Sequence, residues 1–114
     1  MREAAAWVHD RSRGATPVLV AYPLGFDWSF LAYYFAVFGA GSPFGHSRAF
    51  DLKTAVALTT RVPIGRAGRS SLPPSLRGTH PHTHRALDDA IEQAEILSAL
   101  FAARAGETRA GTPT

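Results

Sequence analysis

His84 and the neighbouring carboxylates Asp88 and Asp89 are the residues whose types and spacing best suit chemistry. They open the stretch Thr83-His84-Arg85-Ala86-Leu87-Asp88-Asp89-Ala90, which runs on into Ile91-Glu92-Gln93-Ala94-Glu95-Ile96-Leu97. An imidazole and a carboxylate near one helix entrance suit metal-assisted hydrolysis. The carboxylate holds a hard cation through oxygen. The imidazole takes a proton from the attacking water near neutral pH. Asp27 is a further candidate, a charge at the mouth of an apolar strand–helix unit, where open α/β sheets place their ligands. The run His80-x-His82-x-His84 allows a rival reading. Alternating imidazoles on one side of an extended segment, which Gly78 and Pro81 favour, make a small module for Zn²⁺ or Ni²⁺.

These residues need elements to position them. Leu87, Ala90, Ile91, Ala94, Leu97 and Phe101 recur at helical steps and predict an amphipathic helix from about His84 to Arg104. Thr83 is its expected N-cap, and the acids of the first turns suit its dipole. His84 then falls in the first turn, with Asp89 one to one and a half turns deeper. Upstream, residues 2–10 read as a short helix with Trp7 and Val8 on its apolar side. Val18-Leu19-Val20-Ala21 is a wholly apolar run, expected as a strand buried on both faces in a parallel sheet. After the turn Tyr22–Gly25, a second helix runs from Phe26 to a stop at Gly39. It is apolar nearly all round and is expected to be well buried, with its aromatics in the core.

Residues 40–48 read as a Gly/Pro/Ser loop, and Phe50-Asp51-Leu52-Lys53-Thr54 with Ala55-Val56-Ala57-Leu58 as a short strand feeding a helix. Residues 59–79, rich in Pro, Gly and Arg, read as a solvated loop without periodicity. The domain is expected over 1–104, with 105–114 a disordered tail.

The chain has 114 residues, enough for one domain at most. It lacks cysteine, which excludes disulfides and zinc–thiolate clusters and fits a cytoplasmic protein. Its apolar runs are broken before the roughly 20 residues that a membrane-spanning helix needs, so no membrane role is expected. A net charge of +3 and a pI near 10 permit a polyanionic partner. All the basic residues except Lys53 are Arg, which favours bidentate phosphate contacts.

His84-x4-Asp89, with Ala86-Leu87 between and Ala90 after, resembles the third motif of the DEDDh 3′–5′ exonucleases, the relatives of oligoribonuclease, RNase T and polymerase proofreading subunits. The strand, turn and Phe26-Asp27-x-x-Phe30-Leu31 resemble the second motif of that family. The resemblance covers most of residues 3–104 in the family's order. It implies an α/β, ribonuclease H-like fold and removal of nucleotides from a free 3′ end of RNA or DNA. It further implies Mg²⁺ or Mn²⁺ held by Asp27 and Asp89, with His84 as general base, and a possible homodimer. It also selects Asp89 over Asp88, since the family uses the fifth residue after the His.

The family's first motif, Asp-x-Glu on a strand near the N-terminus, has no counterpart among the nine acidic residues. The fold class expected is therefore a partial ribonuclease H-like α/β fold with a reduced sheet, the N-terminal strands being missing. Two ions 3.5–4 Å apart need more carboxylates than Asp27 and Asp89 provide. The chain is thus expected to be a truncated member, weakly active or inactive as given. The alternatives are a non-catalytic nucleic-acid-binding or interaction remnant and the His-based metal module.

Overall fold

The computed structural model describes residues 1–39 and 41–110. The architecture is mixed α/β and mostly helical, with one two-stranded parallel sheet among the described residues. Backbone contacts group the chain into two compact units, Met1–Asp51 and Leu52–Thr114. Among the described residues no helix is long and apolar enough to cross a membrane.

The first unit opens with α1, Arg2–Ser12, which ends where Arg13 turns left-handed at φ 49°. Trp7 is largely exposed instead of packing inward, and the Arg11 guanidinium lies 5.9 Å from its ring centroid. Strand β1, Leu19–Ala21, pairs in parallel with β2, Ala49–Asp51, matching Leu19 with Ala49, Val20 with Phe50 and Ala21 with Asp51. Parallel neighbours need a crossover, and α2, Leu24–Phe38, supplies it. The strand is buried less evenly than its sequence predicts. Ala21 is buried, but Val18, just before it, is half exposed.

Helix α2 begins two residues earlier than expected, directly after Pro23. Asp51 is the reason: its Oδ1 accepts the Leu24 N–H at 3.0 Å. The end of β2 thus satisfies a donor that the helix itself leaves orphaned, with a carboxylate where the dipole favours one. Gly39 ends the helix by donating to the Phe35 carbonyl at 3.1 Å.

The expected burial of α2 is corrected. Phe35 alone on this helix is buried, at 3% exposure, beside Phe44. Phe26 is 69% exposed, and Phe30, Tyr33, Tyr34, Val37 and Phe38 are also largely open. A two-stranded sheet offers a helix of this length one narrow contact. Four of its other aromatics cover one another in pairs four residues apart, Phe26 with Phe30 and Tyr34 with Phe38, and Tyr33 meets Tyr34 edge-on.

The second unit opens with α3, Leu52–Thr60, which follows β2 without a break and buries Leu52, Val56 and Ala57 on one face. The segment expected as a solvated loop is mostly exposed, Arg61, Arg66 and Arg77 included, but it sends three residues into the core. Three short 3-10 turns, Ile64–Arg66, Arg69–Ser71 and Pro74–Leu76, follow Pro63, Gly68 and Pro73 and bury Ala67, Leu72 and Leu76. Its buried apolar residues have no period because each sits in or directly after its own turn. Helix α4, Ala86–Ala110, packs on α3 and on the Pro74–Leu76 turn. It continues past Arg104 through Gly106, so residues 105–110 are helical where a tail was expected; 111–114 lie outside the described residues.

The rotation of α4 also differs from expectation. Ile96 and Leu100 are buried among its described residues, while Leu87 and Phe101 from the expected apolar stripe are 72% and 60% exposed. Carboxylates decide this orientation, because Asp88, Glu92 and Glu95 face the segment that leads into the helix.

Candidate metal centre

The entrance to α4 is built differently from a simple capped helix. The first helical bond runs from the Asp89 N–H to the Arg85 carbonyl at 3.0 Å, so the helix starts at Ala86. Thr83, expected as the N-cap, lies just outside. Its hydroxyl accepts the Arg85 N–H at 3.3 Å and donates to Asp88 Oδ2 at 2.5 Å. His84 is also outside the helix, at φ 60°. Left-handed backbone is uncommon for residues other than glycine, though His tolerates it better than most. The reversal at His84 lets residues 79–83 run back along α4.

That return segment is latched to the helix at successive points. The N–H groups of Thr79 and His80 donate to Glu95 Oε2 at 2.6 and 2.9 Å, and the Thr79 hydroxyl donates to Oε1 at 3.2 Å. His82 Nδ1 lies 2.7 Å from Glu92 Oε2, and His80 Nε2 lies 2.7 Å from Asp88 Oδ1. Residues 88, 92 and 95 share a helix face at this spacing. Gly78 passes so close that a Cβ there would sit 2.5 Å from Glu95 Oε2 and 3.3 Å from the Glu92 carbonyl.

These bonds favour the ionised acids. The Thr83 hydroxyl, then the His80 ring, holds the Asp88 carboxyl below its usual range. The His80 backbone N–H, helped by Thr79, does the same for Glu95 against a partial desolvation. A carboxyl whose pKa is depressed by folding stabilises the fold above its unfolded value and loses that contribution as pH falls through the folded one. The latch is therefore expected at full strength above about pH 4.5 and progressively released below about pH 4. Amide chemical shifts of Thr79 and His80 followed through an acid titration check this; a transition centred near neutrality contradicts it.

Inside the latch, His82, His84 and Asp89 each present a ligand atom within 4.8 Å of the others. The two imidazole rings lie 4.4 Å apart, centroid to centroid, at 73°. His82 Nδ1 is 3.0 Å from Asp89 Oδ1. This approach is an ion-pair distance without hydrogen-bond alignment, and Asp89 Oδ1 is buried without a hydrogen-bond partner among the described residues. Glu92 Oε2 and Arg69 Nη1 both lie at His82 Nδ1, at 2.7 and 3.1 Å, and Arg69 Nη2 lies 3.2 Å from Nε2. Arg69 Nη1 donates to Glu92 Oε2 at 3.3 Å. An open groove of about 500 Å³, lined by Arg69, Ser70, His82 and Glu92, adjoins the cluster.

No family model, curated protein or solved structure matches the chain. The site is therefore read from its own geometry.

The second unit brings His84 and Asp89 together, as their spacing predicts. Asp27 belongs to the first unit, in the first turn of α2, and is half-buried. The His run divides: His82 and His84 face Asp89, whereas His80 turns to Asp88. Sequence reasoning missed Glu92 and Arg69 as partners of His82. The signal for Glu92 was its place one helical turn beyond Asp89. Arg69 carried no local signal, because a 3-10 turn delivers it from 13 residues away.

Proposed function

We propose that the chain is a partial DEDDh-type, ribonuclease H-like domain whose role is at the free 3′ end of RNA or DNA, weakly active or inactive as a nuclease by itself. The observation that carries this reading is the meeting of His84 and Asp89 at the entrance of α4. The order before it, a parallel strand–helix–strand–helix, supports it. In this reading Asp89 is a metal-holding carboxylate of the second unit, and the family resemblance gives Asp27 of the first unit the same role. His84 is the base, exposed where it can take a proton from water. In this reading Arg69, which lines the groove beside His82 and pairs with Glu92, would be the group that meets a phosphate.

The Mg²⁺ or Mn²⁺ pair of such a site asks for oxygen donors. The set around Asp89 offers one carboxylate and two imidazoles and does not fit that demand within the second unit. Slow or absent turnover is the expected consequence. A second reading, an interaction module, is favoured by the open aromatic row of α2, because exposed apolar patches mark contact surfaces.

The test uses a labelled single strand with a free or a phosphate-blocked 3′ end, in Mg²⁺ or Mn²⁺. The expected result is salt-dependent binding that prefers the free end. Any nucleotide release should disappear in Asp89→Asn and His84→Asn. Binding indifferent to the 3′ end, or robust release that survives both substitutions, overturns the proposal.

A further inference from the structure

We infer that His82, His84 and Asp89 form a site for a single divalent transition-metal ion of the zinc, cobalt or nickel class. The inference shares two residues with the nuclease reading but does not depend on hydrolysis.

Three observations carry it. The first is convergence: three ligand atoms from residues of two types lie within 4.8 Å of one another. Ligands about 2.0–2.1 Å from a tetrahedral ion stand roughly 3.3 Å apart. His82 Nδ1 and Asp89 Oδ1, at 3.0 Å, already approach that separation, and His84 needs only a side-chain adjustment at the exposed edge. The second is the orphan oxygen. Asp89 Oδ1 is buried with no hydrogen bond among the described residues, a condition that a buried carboxylate oxygen does not tolerate cheaply. A cation between it and His82 removes that cost. The third is the donor set. Two imidazoles and a carboxylate leave coordination positions for water and suit borderline transition metals, whereas Mg²⁺ prefers oxygen alone.

The surroundings supply the rest. Glu92 Oε2 lies 2.7 Å from the same His82 Nδ1 and brings a second carboxylate to the edge of the ion site. Ligation through Nδ1 requires the ring proton on Nε2 and puts the ion at a nitrogen that Arg69 Nη1 approaches to 3.1 Å. Arg69 Nη2, itself only a donor, must then withdraw from the 3.2 Å position it holds. Arg69 is thus a competitor for the ring, and Arg69→Ala should tighten binding.

The experiment is titration of the untagged full chain with Co²⁺ and Zn²⁺, read by calorimetry and by the visible spectrum of the cobalt complex. One equivalent is expected to bind, unaffected by millimolar Mg²⁺. Asp89→Asn and His84→Asn should each weaken it by no less than an outer-shell loss, about 10–100-fold. His80→Ala should leave the one-equivalent stoichiometry intact. His84→Asn keeps a residue that accepts the left-handed backbone, so its loss of affinity reports the ring and not the fold. Absence of binding overturns the site, as does binding that survives Asp89→Asn or is displaced equally by Mg²⁺. Metal binding without any 3′-end recognition would leave this site standing and remove the nuclease reading.

Discussion

Ile96→Ala is expected to destabilise the second unit by about 2–5 kcal/mol, the usual cost of removing a large aliphatic side chain from a closed core. Ile96 is 0% exposed on the face of α4 that also buries Leu100. Against a typical domain stability of about 5–15 kcal/mol, such a loss is severe. The informative comparison is with Leu87→Ala and Phe101→Ala. Both residues belong to the apolar stripe that helical spacing assigns to the interior, yet they are 72% and 60% exposed. Each should change stability by about 0.5 kcal/mol or less. Urea unfolding followed by far-ultraviolet circular dichroism measures all three. Equal costs at Ile96 and Leu87 would mean that the helix is rotated as the stripe, and not the carboxylates, dictates.

Gly78→Ala should undo the latch without removing any of its hydrogen-bonding groups. The added Cβ would fall 2.5 Å from Glu95 Oε2, 3.2 Å from Glu95 Cβ and 3.3 Å from the Glu92 carbonyl. Two of these neighbours are parts of the helix that cannot swing away, so the segment itself must retreat. Overpacking of this kind costs about 1–3 kcal/mol. The Thr79 and His80 N–H groups then leave Glu95, and their hydrogen exchange should rise towards that of an open loop. Metal affinity should fall in parallel, because His82 and His84 lie on the same segment. Gly65→Ala is the control: its Cβ meets nothing within 4 Å, and exchange at Thr79 and His80 should not change. Unaltered exchange in Gly78→Ala would show that the return segment is held by something other than its fit against Glu92 and Glu95.

Much of the local order was legible. Val18–Ala21 reads as a strand of a parallel sheet, and Leu19–Ala21 pairs in parallel. Gly39 reads as a helix stop and acts as one. The five-residue spacing of His84 and Asp89 reads as a shared neighbourhood, and their ligand atoms share one. What escaped depends on partners distant in sequence. An apolar helix is expected inside only when enough surface exists to cover it, and two short strands leave most of α2 open. Ala67, Leu72 and Leu76 carry no period because three separate turns bury them. The face of α4 could not be read from Leu87 and Ile91, since the competing signal was polar: Thr79, His80 and His82 claim Glu95, Asp88 and Glu92.

The handedness of position 84 has a consequence for how the residue can vary. At φ 60° the backbone itself admits few replacements: glycine, asparagine and aspartate sit there comfortably, while β-branched and bulky side chains do not. A saturation library at this position would therefore look intolerant even if the ring had no chemical task. Depletion of alanine or valine would report geometry alone. Depletion of glycine and asparagine, the two substitutes that the backbone welcomes, would be the signature of an imidazole in use.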